Sequence, residues 1–180
     1  MRLLAYAILP NHWHLVVWPR HDGDLSRFAG WLTLTHTQRW HVYRENVGSG
    51  HLYQGRFKSF PVQDDLHFLT VCRYVERNPL GVEGTKRAED WRWSSLWRRV
   101  HGDARQRQLL SGWPVNRDRD WIDFVNKPQT PEEELAITQC IARGRPFGQP
   151  DWQHRTAVQL GLESSFRPRG QPGKVGRKGV

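Results

Sequence analysis

His12 and His14 flank Trp13 in the stretch Pro10-Asn11-His12-Trp13-His14-Leu15-Val16-Val17. Residues two apart on a strand project from the same face, so a strand here would aim both imidazoles at one point. Two converging imidazoles suit a bidentate metal site. The same His-X-His also decorates ordinary strand starts as a surface or core feature, and such a short motif says little without partners. A second group lies in Tyr74-Val75-Glu76-Arg77-Asn78. Tyr74 and Asn78 are four apart and share a helical face, where a phenol could serve as a nucleophile and an amide oxygen could complete a metal site. Each also has a plainer reading, Tyr74 as a half-buried helix aromatic and Asn78 as a helix terminator before Pro79. Arg73 and Arg77 flank Tyr74, and Arg56 and Lys58 follow Gly55. All four are either contacts to an anionic partner or solvated charges. His36 and His41 lie five apart, off a common helical face, and are read as non-ligands.

These side chains need a scaffold. Leu3 to Leu9 and His12 to Trp18 read as two strands joined by Pro10-Asn11 turn chemistry. Asp24 is the expected N-cap of a helix reaching about Arg44, with Leu25, Phe28, Leu32 and Thr35 on one face. A glycine-rich loop at Gly48 and Gly50 leads to an expected short strand from Gly55 to Val62. Asp64 or Asp65 caps the next helix, whose apolar positions Leu66, Leu69, Val71, Cys72 and Val75 recur at helical spacing until Asn78-Pro79 stops it. Trp91 to Ser95 suggests a tryptophan anchor followed by a serine-capped helix to about His101, and Gln106 to Lys127 is irregular. Thr130-Pro131-Glu132-Glu133 opens a helix running to Arg143 and ending at Gly144. A further short helix fits Asp151 to Leu160, closed by Gly161. From Phe166 onward Gly, Pro, Arg and Lys dominate, the composition of a disordered basic tail.

The 180 residues carry a formal net charge of +9, which favours polyanions and nucleic acid above all. Arg143 to Val180 holds eight Arg or Lys against Asp151 and Glu163, a net of +6. Ten tryptophans offer stacking surfaces for unpaired bases, although most are expected to fill the core. No apolar run is long enough to cross a bilayer, and Met1 leads directly into a core-like strand without a signal-peptide pattern. With only Cys72 and Cys140, no disulfide framework or cysteine zinc site can be built, and a reducing cytoplasm is the expected compartment.

Taken in order, "LPNHWHLVVWP", "LYQGRFKSF", "YVERNPL" and "WRWSSL" resemble the REP-associated tyrosine transposases, a group within the single-tyrosine HUH transposases. The resemblance covers roughly Met1 to Val100, and residues 101–180 resemble the C-terminal extension of one bacterial subgroup. It implies an α+β fold with a ferredoxin-like antiparallel sheet and packed helices over 1–100, a helical extension over 101–165 and the basic tail over 166–180. It implies that His12, His14 and Asn78 hold one divalent metal, Mg²⁺ or Mn²⁺, beside a nucleophilic Tyr74. The implied reaction cleaves and rejoins single-stranded DNA next to palindromic hairpins through a 5′-phosphotyrosine, without ATP. Arg167-Pro168-Arg169-Gly170-Gln171-Pro172 resembles a minor-groove hook, which would make Arg167 and Arg169 DNA contacts beside Arg56, Lys58, Arg73 and Arg77. Whether the active unit is a monomer or a homodimer is left open. Family members carry a further strand and helix ahead of the part matching "LLAYAILP", and "NPLGVEG" departs from their usual run. The alternative expectation is therefore a truncated, catalytically inactive relative that binds hairpin DNA. A replication or mobilisation nickase of the same HUH type fits less well.

Overall fold

The computed structural model of the chain describes residues 1–48, 50–117 and 119–167. Strands β1 (Arg2–Ile8) and β2 (Trp13–Trp18) form an antiparallel pair, with Ala7 opposite His14 and Ile8 opposite Trp13. The Leu9 amide donates to the His12 carbonyl at 2.8 Å, closing a turn over Pro10 and Asn11. His12 therefore belongs to the turn, and the second strand starts one residue later than the sequence reading placed it. The α+β expectation holds, and among the described residues the sheet has these two strands.

Helix α1 (Asp24–Tyr43) follows, with Gly23 at its N-cap in the left-handed region, φ 77°. Asp24, the expected cap, is the first helical residue instead. Its carboxylate turns back to accept from the amides of Arg20 and His21, each at 3.0 Å. The segment Gly55 to Val62 is not a strand. Pro61 lacks an amide donor, and the segment meets no strand edge. Only Val62 forms an isolated parallel bridge, to Phe147.

Helix α2 (Leu66–Arg77) is capped by Asp65, whose side chain accepts from the His67 amide. It lies against both strands and ends at Asn78, where Pro79 begins a 3-10 turn. Ser94 caps α3 (Ser95–His101), and a reciprocal Asp103–Gln106 pair caps the one-turn α4 (Ala104–Arg107). The stretch read as irregular also holds α5 (Trp121–Asn126). Helices α6 (Pro131–Arg143) and α7 (Pro150–Leu160) fall where expected, with Thr130 and Glu133 exchanging backbone bonds at the start of α6. The residues beyond Arg167, including most of the expected basic tail and Arg169, lie outside the described residues.

One apolar cluster runs through these elements. Leu4, Ala5 and Val16 of the hairpin pack with Phe68, Leu69, Cys72 and Val75 of α2 and Leu96 of α3. Trp121, Val125, Ile137 and Phe147 join the same cluster. Inside it lies one carboxylate: Glu76 is fully buried. Its oxygens accept from Ser95 Oγ at 2.6 Å and from Trp121 Nε1 at 2.7 Å, while Arg99 Nε stands 4.0 Å away. Burial pushes the Glu76 carboxyl up, opposed by the Ser95 and Trp121 bonds and the Arg99 charge. Ser95 Oγ also accepts from the Tyr6 amide, so the carboxylate ties α2 to α3, α5 and β1. Glu76→Ala leaves a cavity and the buried Trp121 indole N–H without an acceptor, while Ser95 Oγ keeps the Tyr6 carbonyl at 3.2 Å. It should lower unfolding stability by about 3 kcal/mol in a urea titration.

Candidate active site

The hairpin turn and the last two turns of α2 meet at a small cluster of His12, His14, Tyr74 and Asn78. The His12 and His14 rings stand edge to face with centroids 4.9 Å apart. Tyr74 presents its ring to His14 at 5.6 Å, again near perpendicular. The Asn78 carboxamide reaches the His14 ring from one helical turn beyond Tyr74. The fold thus brings together residues sixty or more positions apart in sequence. The local reasons are simple. β2 directs His14 toward the face that α2 covers, and the helix repeat stacks Asn78 over Tyr74 until Pro79 interrupts it.

Hydrogen bonding sets the ring tautomer of His12. Its Nδ1 lies 2.6 Å from Asn11 Oδ1. An amide oxygen only accepts, so Nδ1 carries the hydrogen and Nε2 keeps its lone pair for a ligand. Asn11 was read only as a turn residue. A side-chain acceptor immediately before a histidine in a tight turn is the signal that could have marked it.

His14 is held neutral. Burial, reinforced by the neighbouring His12 and opposed by Asn78, lowers its pKa to about 4. A neutral imidazole is the coordinating form, so the ring is ready for a cation across the physiological range. The sign for stability follows. Below pH 6.5 an unfolded His14 takes up a proton that the folded residue refuses until about pH 4, so metal-free protein loses stability as pH falls through that window. A ¹H–¹⁵N imidazole titration should place the His14 midpoint near pH 4. A midpoint at the ordinary histidine value would refute the buried environment described here.

Among the described residues, no group of three or more His, Cys, Asp or Glu side chains is placed to hold a metal. The third donor in this cluster is an amide. Two imidazole nitrogens and a carboxamide oxygen form a donor set free of carboxylate charge that fits a divalent cation also carrying anionic oxygen ligands.

The basic residues sort differently from the sequence expectation. Arg73 is only 5 % exposed. Its guanidinium donates to the carbonyls of Phe124, Lys127 and Pro128 at 3.0, 2.9 and 2.8 Å and covers the Phe124 ring at 3.9 Å. A buried, fully engaged guanidinium cannot meet a phosphate, so Arg73 is corrected from DNA contact to connector. Arg77 differs: it is half-buried, and its Nη1 donates to the carbonyls of Val125 and Asn126 at the end of α5, which leaves its other nitrogens without a protein acceptor among the described residues. Helical spacing gave no warning, because the partners come from a segment some fifty residues away. Arg56, Lys58 and Arg167 are exposed. His36 and His41 stand apart from the cluster, bonded to Tyr53 Oη at 2.6 Å and Asn46 Oδ1 at 3.0 Å. Tyr53 Oη also accepts from Trp13 Nε1 at 3.3 Å, linking α1 to β2 beside the histidine pair.

Residues 1–78 match the family model "Transposase IS200 like". The IS200-like segment ends on Asn78 and contains all four side chains of the cluster, although it spans less than half of the chain. It supports a DNA-acting transposase and hence a DNA partner. No curated protein and no solved structure matches the chain. Among the described residues no helix is long and apolar enough to cross a membrane.

Proposed function

We propose that this protein is a REP-associated, single-tyrosine transposase that cleaves and rejoins single-stranded DNA beside palindromic hairpins. The observation that carries this reading is the contact of the Tyr74 ring with His14 at 5.6 Å, inside the IS200-like segment. His12 Nε2, the free nitrogen of His14 and the Asn78 oxygen would hold Mg²⁺ or Mn²⁺. When bound, a divalent cation supplies Lewis-acid polarisation of the scissile phosphate, undiminished by any carboxylate ligand.

The chain's own residues do the rest. Tyr74 Oη attacks phosphorus and forms a phosphotyrosyl ester to the 5′ side. The P–O3′ bond breaks, and the 3′ oxygen leaves as a hydroxyl once it has gained a proton equivalent to the one the phenol loses. The ester count is unchanged, so a 3′-hydroxyl can later displace Tyr74 and rejoin the strand without ATP. A phenol is a better leaving group than an aliphatic alcohol, which suits a reversible step. Asn11 fixes the His12 ring, and burial keeps His14 unprotonated. Arg56 and Lys58, exposed after Gly55, and Arg167 with Arg169 near the chain's end, supply phosphate attraction that weakens with salt.

The test is a labelled hairpin oligonucleotide with a single-stranded flank, incubated with Mn²⁺ and resolved on a denaturing gel. A protein–DNA adduct should form, disappear with EDTA, and fall by roughly 10- to 100-fold in initial rate at limiting metal in Asn78→Ala. Hairpin binding with no adduct at any metal concentration would reject the transposase reading and leave a DNA-binding protein.

A further inference from the structure

Trp93 is 58 % exposed although the serines that follow it, Ser94 and Ser95, are fully buried. The exposed ring is not isolated. The Arg92 guanidinium stands 5.8 Å from the Trp93 ring and 5.9 Å from the Trp97 ring, and Trp97 meets His101 at 5.7 Å. Trp93, Arg92, Trp97 and His101 thus form a row of π faces and one cation that runs from just before α3 to its last residue. Arg92 and His101 are also exposed. Among the described residues Arg92 makes no salt bridge, whereas Arg98 and Arg99 are turned inward to Tyr6 Oη and the Leu4 carbonyl.

The backbone places this row at the turn end of the hairpin. The Ile8 amide donates to the Trp93 carbonyl at 2.9 Å, and Trp91 Nε1 donates to the Ile8 carbonyl at 2.8 Å. Ile8 is paired across the hairpin with Trp13, which sits between the two histidines. Ser94 bridges Ala7, and Ala7 pairs with His14, so these three share one face of the sheet. Trp93, one residue earlier, projects to the opposite face. Two strand spacings, roughly 10 Å, separate the Trp93 backbone from β2 at this level. A strand leaving the cluster would have to round the exposed Pro10-Asn11 tip to reach the row.

We infer that the Trp93–Arg92–Trp97–His101 row is a stacking platform for unpaired bases of single-stranded DNA. The inference rests on the proposed DNA chemistry for its substrate and adds a binding site away from the scissile phosphate. Every base offers a π face, so such a platform accepts any sequence, and the guanidinium adds cation–π attraction and a charge for the adjoining phosphate. The row carries a cation and no carboxylate, which complements a phosphate backbone, and the chain's net charge of +9 acts in the same direction.

Fluorescence anisotropy with a short labelled oligothymidylate tests it on the full chain. Trp93→Ala should weaken binding by about 5- to 150-fold, the range expected for losing one base stack. Trp93→Phe should restore most of the affinity, and Arg92→Ala should weaken it in the same direction. Trp31→Ala, which removes the exposed tryptophan of α1, should change little. On an abasic strand of equal length, wild type and Trp93→Ala should bind alike. Equal affinity of wild type and Trp93→Ala for oligothymidylate would overturn the inference. So would a deficit that persists on the abasic strand, or a change in self-association without a change in DNA affinity. Adduct formation by the wild type is scored separately: a Trp93-dependent affinity without any adduct leaves the platform standing and removes the catalytic reading, and the reverse pattern removes the platform alone.

Discussion

Replacing Tyr74 with phenylalanine should abolish the covalent protein–DNA species while leaving hairpin affinity within a few-fold of wild type. The substitution removes one oxygen. The ring remains, and so does its edge-to-face contact with His14 at 5.6 Å. Packing against the core is likewise kept, because Tyr74 is only partly buried at its margin. Loss of a nucleophile that forms a covalent intermediate lowers rates by more than about 10⁴-fold in well-studied enzymes, and here no neighbouring phenol can substitute. Tyr53, near the hairpin, is bonded to His36 and Trp13, and Tyr6, within β1, is buried with its Oη accepting from Arg98 Nε at 2.8 Å. An adduct of normal yield in Tyr74→Phe would therefore mean that the nucleophile has been misassigned.

Arg73→Ala should lower unfolding stability by about 3–5 kcal/mol, measured by urea or thermal denaturation. Three backbone carbonyls lose their donor at once, and Phe124 loses the guanidinium that covers it at 3.9 Å. Hydrogen bonds to a charged donor are each worth on the order of 1.5–3 kcal/mol, and carbonyls on exposed residues recover part of that from water. Arg73→Lys should rescue little of this, because one ammonium cannot span three carbonyls presented in a fan. DNA affinity, measured at a temperature where the variant is folded, should be unchanged. A variant of normal stability with weakened DNA binding would restore the phosphate-contact reading for Arg73.

Those two residues, one apart on α2, show where a sequence can be read and where it cannot. Tyr74 and Asn78 were legible because a helix repeat relates them, and His12 and His14 because a hairpin does. Both are short-range rules, and the turn chemistry at Pro10-Asn11 and Asn78-Pro79 marked where each element stops. The caps at Asp65, Ser94 and Thr130 were legible for the same reason. Arg73 was misread because its partners lie in α5 and the loop after it, beyond any local pattern. Glu76 carried a signal that went unused. It falls four residues after Cys72, on the apolar stripe, where a carboxylate must find buried donors. Gly55 to Val62 has the composition of a strand, but strand identity depends on a neighbouring edge, and its one bridge is to Phe147, far along the chain.

The shared core has a bearing on how this chemistry can be moved between proteins. The matched segment stops at residue 78, yet the wall behind its helix is made by Trp121 and Val125, and its one internal acid takes a bond from that same indole. Excised at its own boundary, the segment would lose that wall, expose the apolar face of α2 to water and leave a carboxylate without its donors. Tyr74 and the two histidines are therefore not a portable cassette. Any chimera that transplants them must carry the stretch through α5 as its chassis.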